Sequence, residues 1–209
     1  MPKVARRELV QGLLEIGALR LGDFTLSSGR KSNYYLDLRF VPSHPQVYRL
    51  ALDAYREMAE RVGTDKFDVI AGVATSGLLM SSPLAVSLGM PMVYVRSESK
   101  EHGTRRSVEG DVPPGSRAIL VDDLATSGGS LAEALAKLRD AELSVTDALV
   151  LVDRLEGAES MLRGLGVRLD SFITIEDIAP SLKRGESPQG GKGKAASRGE
   201  KATGGRRSG

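Results

Sequence analysis

Two adjacent carboxylates stand in the most informative segment of the chain. It runs Ala118-Ile119-Leu120-Val121-Asp122-Asp123-Leu124-Ala125-Thr126-Ser127-Gly128-Gly129-Ser130. The apolar run suits a buried strand that would deliver Asp122 and Asp123 to a sheet edge. The hydroxyls and glycines that follow suit a loop opening a helix. Free backbone N–H groups at a helix start, with the dipole behind them, favour a phosphate, and glycine lets the backbone approach it closely. The carboxylates cannot bind phosphate, but they can accept hydrogen bonds from vicinal sugar hydroxyls and stabilise positive charge on a sugar carbon. One segment thus complements both ends of a ribose 5-phosphate. A plainer reading also exists. Ser130 and Glu133 form a capping-box pattern, and paired acids at strand ends also occur as solvated turns.

Three other groups of residues could take part. Arg96-Ser97-Glu98-Ser99-Lys100-Glu101-His102-Gly103 places Arg96, Lys100 and His102 where they could stabilise an anionic leaving group, with water excluded if the loop closes. His102 could donate a proton near neutral pH, and Gly103 and Gly110 permit hinge-like motion; otherwise this is a solvated charged loop. Arg154 could offer a two-pronged fork to a carboxylate, or pair with Asp153 or Glu156. Tyr34 and Tyr35 could pack on a flat ring, or belong to the core. The only histidines are His44 and His102, and there is no Cys, so no thiolate metal site and no disulfide is available.

Periodicity supplies the elements that must position these groups. Helical spacing covers 7–19, and a hairpin-like excursion covers 24–37. A helix then runs from Pro45 to about 62. Beyond it come strands at 67–73, 92–95, 118–121, 145–152 and 168–173, and helices at 78–88, 130–141 and 158–165. Short apolar strands alternating with helices imply an α/β fold, an open, mostly parallel twisted sheet flanked by helices. Ligands bind such a sheet beyond the carboxyl ends of its strands, at 74–77, 96–110, 122–129 and 153–157.

A length of 209 residues with 41% hydrophobic content suits one packed domain. No apolar run reaches the roughly 20 residues that span a bilayer, and the basic start is not followed by a signal-like block; a cytoplasmic protein is expected. Aromatics make up 4%, with no Trp, which argues against a stacking surface for single-stranded nucleic acid. Residues 183–209 hold eight Lys and Arg against two Glu, a net of +6, so 1–182 carries −4 of the total +2. That Gly-rich tail is expected to be disordered, and it could touch an anionic surface or simply aid solubility; no specific nucleic acid is expected.

The full string from Ala118 to Ser130 resembles the diphosphoribosyl-binding motif of type I phosphoribosyltransferases. It is unlike a P-loop, since no Gly-Lys-Ser/Thr follows the glycines. Phe24-Thr25-Leu26-Ser27-Ser28-Gly29-Arg30-Lys31-Ser32-Asn33-Tyr34-Tyr35-Leu36-Asp37 resembles the N-terminal hood of orotate phosphoribosyltransferases, and 96–103 resembles their mobile catalytic loop. The matched segments span roughly 9–175. The resemblance implies the type I phosphoribosyltransferase fold over 1–182, with 1–40 as helix and hood.

It also implies transfer of ribose 5-phosphate from 5-phosphoribosyl 1-diphosphate (PRPP) to orotate, in pyrimidine biosynthesis. Lys100, His102, Asp122 and Asp123 become the catalytic groups. Donor binding falls to Arg96, Lys100, His102, Asp122, Asp123, Leu124, Ala125, Thr126, Ser127, Gly128, Gly129 and Ser130, and orotate binding to Thr126, Arg154, Tyr34 and Tyr35. Mg²⁺ would arrive on the diphosphate without a protein cage, and a homodimer would use the loop in trans. The chain departs from many bacterial members at Ser27 and Ser97, where they carry Lys, and at 74–77, which lacks their Tyr-Lys pair. A purine or uracil transferase, and a non-catalytic sensor of phosphoribosyl ligands, are the rival readings.

Overall fold

The computed structural model describes residues 6–25, 31–97 and 107–184. Its first helix, α1 (Arg6–Glu15), buries Leu9, Val10, Leu13 and Leu14 on one face. It stops short of the expected end at 19 because Gly17 turns the chain at φ 71°. Leu19 then opens β1 (Leu19–Thr25), which pairs antiparallel with β2 (Lys31–Leu36). This hairpin is the expected hood element, although its turn, 26–30, lies outside the described residues. A 3-10 helix, Leu38–Ser43, is capped by Asp37, whose carboxylate accepts from the Arg39 N–H and from its guanidinium at 2.7 Å. Pro45 at the first position then begins α2 (Pro45–Val62).

The rest of the described chain builds one sheet. Its strands are β3 (Val69–Val73), β4 (Met92–Val95), β5 (Val108–Glu109), β6 (Arg117–Ala125), β7 (Ser144–Asp153) and β8 (Arg168–Thr174), in the spatial order β5-β4-β3-β6-β7-β8. All neighbours run parallel except β5, which pairs antiparallel with β4 at the edge. Helices α3 (Leu78–Leu88), α4 (Gly129–Asp140) and α5 (Ala158–Gly164) make the crossovers, and α6 (Ile175–Arg184) closes the described chain. Alternation along the strands feeds two cores. Ile119, Val121, Leu149 and Leu151 pack with α1, α2 and α3 on one face. Leu120, Ala148 and Val150 pack with Leu131, Leu135, Leu138 and Leu162 on the other.

The strands and helices expected from periodicity are present, with two additions besides the 3-10 helix Leu38–Ser43. β5 is only two residues long and sits in a stretch read as polar loop. α6 contains Pro180, an interior residue that argues against a helix in a sequence reading. Central β6 also runs four residues beyond the expected 121, because parallel pairing continues from Asp122 opposite Val150 to Ala125 opposite Asp153. Both acids therefore lie within a strand, not in a loop.

Close approach is the constraint at Gly77, whose φ of −59° suits any residue. A Cβ there would stand 2.6 Å from the Val73 carbonyl oxygen, 2.8 Å from an Asp122 carboxylate oxygen and 2.9 Å from the Val121 carbonyl oxygen. Overpacking of this kind costs about 1–3 kcal/mol. The variant Gly77→Ala is expected to lower the thermal midpoint by several degrees in a calorimetric scan. An unchanged midpoint would show that the β3–α3 turn yields freely.

Candidate active site

Asp122 and Asp123 sit at the carboxyl end of the central strand, and neutral groups hold them. The Asp123 N–H donates to an Asp122 carboxylate oxygen at 2.9 Å, and Ser76 Oγ donates to Asp123 at 3.0 Å. Beneath them the buried Tyr55 hydroxyl donates to the Asp122 carbonyl at 2.5 Å, fixing the strand on α2. No Lys or Arg pairs with either acid among the described residues. Burial, and then the negative charge of Asp123, pushes the Asp122 carboxyl well above the usual carboxylate range. Asp123 moves the same way through burial, opposed by its hydrogen bond from Ser76. Two acids so placed await hydroxyl donors or a cation.

The Thr/Ser/Gly loop follows directly. Leu124 and Ala125 end β6, Thr126 and Ser127 form the turn, and Gly128 takes φ 88° as N-cap of α4. Glycine is required there twice over, since a Cβ would also stand 3.0 Å from the Ala158 Cα. No side chain caps α4. The capping-box alternative is not realised, because Ser130 lies inside the helix and Glu133 pairs with Lys137 at 2.6 Å. The first-turn N–H groups of Gly129 and Ser130 are left for an anion.

Two backbone bonds stitch this loop to the next one. The Arg154 N–H donates to the Ala125 carbonyl at 3.0 Å, and the Ala158 N–H to the Thr126 carbonyl at 3.1 Å. Arg154 is thereby anchored beside the acids, and its side chain turns toward the hairpin. Its Nε donates to the Tyr34 hydroxyl at 2.8 Å and its Nη2 pairs with Glu156 at 2.8 Å. Tyr34, Arg154, Lys31, Asn33 and Phe24 share a cavity of about 790 Å³. Tyr35, one residue on, is placed differently. It packs 5.7 Å from the Phe24 ring, with the Arg20 guanidinium 4.8 Å from its own ring.

Arg96 follows β4 and donates to Glu109 at 3.0 Å, while its carbonyl accepts from Lys137 at 3.0 Å. It lines a smaller cavity, about 120 Å³, with Ala74, Ser97, Ser130 and Lys137. Lys100 and His102 lie outside the described residues, as do Ser27 and Arg30. The structure thus brings together Asp122, Asp123, the 124–130 loop, Arg154 and Tyr34. Sequence reasoning passed over Ser76 as a partner of Asp123, and it missed Tyr55 and Lys137. The place of Ser76, in the turn after a strand, was the available signal; nothing marked the other two.

A central strand ending in paired acids, with a Thr/Ser/Gly loop leading into a helix, defines a phosphoribosyltransferase. The Phosphoribosyl transferase domain model matches residues 44–171. Orotate phosphoribosyltransferases of Cenarchaeum symbiosum and Methanopyrus kandleri are each 46% identical, over 79% and 83% of this chain and 84% and 91% of theirs. The crystal structure of the Aeropyrum pernix orotate phosphoribosyltransferase superposes with TM-score 0.76 at 44% identity, covering 84% of this chain and 98% of that one. The Mycobacterium tuberculosis enzyme in complex with PRPP gives 0.67 at 26% identity, covering 83% and 98%. The chain belongs to the orotate phosphoribosyltransferase family.

The raised Asp122 carboxyl gives a pH prediction. The folded state keeps its proton up to about 8, whereas an ordinary aspartate loses it near 3.8. Between those values the native state binds more protons, so this group's contribution to stability is lost as pH rises through the window. Asp122→Asn is therefore expected to melt higher than the parent at pH 8 and to differ little at pH 4, while transfer activity falls about 100-fold or more. Melting curves across pH check the first part. An Asn variant less stable than the parent at pH 8 would contradict it.

Proposed function

We propose that this chain transfers ribose 5-phosphate from PRPP to a pyrimidine nitrogen of orotate, giving orotidine 5′-phosphate and diphosphate, as a cytoplasmic step of pyrimidine biosynthesis. One observation carries the reading. The arginine able to grip a carboxylated base is stitched by backbone to the loop suited to a ribose phosphate. Once the cation and hydroxyls of the bound donor offset their burial and draw off the Asp122 proton, Asp122 and Asp123 accept the ribose hydroxyls and balance positive charge as the transition state becomes oxocarbenium-like. The 126–130 loop takes the 5-phosphate. Arg96 stabilises the departing diphosphate with Lys100, and His102 donates a proton to it.

Mg²⁺ suits the donor set, since the hard carboxylate oxygens of Asp122 and Asp123 have no paired Lys or Arg among the described residues. Among the described residues no cluster of three or more ligating side chains forms a cage. The ion belongs with the substrate, its hydroxyls held by Asp122 and Asp123, and when bound it neutralises part of the diphosphate charge. A homodimer with each 96–103 loop serving the partner's site completes the reading. No described helix is long and apolar enough to cross a membrane.

Loss of orotate absorbance with PRPP and Mg²⁺ tests the assignment. Turnover is expected with orotate, to cease with a chelator, and to fall about 100-fold in Lys100→Ala or Asp123→Asn. Turnover of uracil or hypoxanthine without orotate would overturn it. So would a Lys100→Ala enzyme near the parent rate.

A further inference from the structure

Arg154 is not simply exposed to the hairpin cavity; two side chains fix its orientation. A guanidinium has a side edge, Nε with Nη2, and an end edge, Nη1 with Nη2, and either can grip a carboxylate with two parallel bonds. Here Nε and Nη2 are both engaged. Nε donates to the Tyr34 hydroxyl at 2.8 Å and Nη2 meets a Glu156 carboxylate oxygen at 2.8 Å. Nη1 has no partner among the described residues. The Arg154 side chain is 14% exposed, so it has little freedom to swing into solvent. The guanidinium carbon also lies 5.1 Å from the Tyr34 ring centroid, within cation–π range.

We propose that the Tyr34 hydroxyl is a positioning group that sets acceptor specificity, by holding Arg154 so that its end edge faces the hairpin cavity as a fork for the acceptor's carboxylate. The proposal rests on the orotate reading and adds a residue to it. Tyr34 belongs to β2, and Arg154 is tied to β6 through the Ala125 carbonyl. The Arg154–Tyr34 bond therefore joins the hood to the catalytic strand and sets the fork at a fixed distance from the acids. Without the hydroxyl, Nε–H loses its acceptor in a half-dry place. The guanidinium is then held by its ion pair with Glu156 and no longer by the hood, and it shifts off its aim. Neutral acceptors, which need no fork, would not register the difference.

The test uses the full chain. Tyr34→Phe removes one oxygen and keeps the ring. KM for orotate is expected to rise about tenfold, as for loss of one hydrogen bond to a charged group. Both kcat and the KM for PRPP should stay within about twofold of the parent, and the preference for orotate over uracil should fall by about the same tenfold. Arg154→Lys should raise the orotate KM at least as much, and adding Tyr34→Phe to it should cost nothing further.

An orotate KM unchanged in Tyr34→Phe would overturn the proposal, as would full additivity of the two changes. A parallel rise in both KM values with a lower melting point would overturn it too, since that marks a hood held together by Tyr34 and nothing more specific. Calorimetric binding of orotate and of uracil to the parent and to Tyr34→Phe separates the two readings. A parent that shows no turnover of orotate sinks the proposed reaction, while the binding difference still reports on Tyr34.

Discussion

Keeping two adjacent carboxylates at the end of a buried strand, with no Lys or Arg paired to them among the described residues, is the constraint on which the rest of this structure depends. Asp122 and Asp123 cannot both be comfortable there as anions: burial and their mutual charge oppose ionisation. A salt bridge would relieve that strain and would also occupy the oxygens. The fold instead supplies one hydroxyl, one backbone N–H and a tightly apposed glycine. Each steadies geometry without neutralising charge. The electrostatic deficit remains available to whatever ligand brings hydroxyl donors or a cation.

Placement on β6 follows from the same need. A central strand paired on both sides moves less than an edge strand, and Tyr55 fastens its carbonyl from below. The loop after it has to turn at once into a helix with uncapped N–H groups, which Gly128 makes sterically possible against Ala158. The β7–α5 loop then closes on the first through two backbone bonds. The paired acids, the uncapped start of α4 and Arg154 are thus positioned by one hydrogen-bonded pair of loops.

Much of this was legible in the sequence because the informative features are local. Apolar runs mark strands, and the order Asp-Asp, Thr-Ser-Gly-Gly-Ser cannot be shuffled without losing its chemistry. The capping-box pattern at Ser130 and Glu133 misleads for an equally local reason. The helix begins one residue before Ser130, at Gly129, and Glu133 has a better partner in Lys137. Tyr55 was invisible because its role depends on a strand 67 residues away. Tyr34 and Tyr35 could not be told apart by type. Only the pairing of β2 with β1, and the side from which Arg154 approaches, puts the first on the arginine and the second against Phe24 and Arg20.

The serine at position 76 illustrates how a change of charge can be absorbed as a change of role. A lysine in that turn would bring a cation to the diphosphate and would also lie within reach of the acids. Ser76 brings none, and its hydroxyl goes to Asp123. The turn then acts on the acids. Arg96, proposed for the leaving group, has its Nη1 engaged by Glu109 and its backbone pinned by Lys137. A paired arginine is a well-aimed cation of reduced net charge. The sequence from Ser97 onward carries Lys100 and His102 within six residues, interleaved with Glu98 and Glu101. In the proposed reaction, with Ser at 76 and 97, leaving-group stabilisation falls to Arg96, Lys100 and His102.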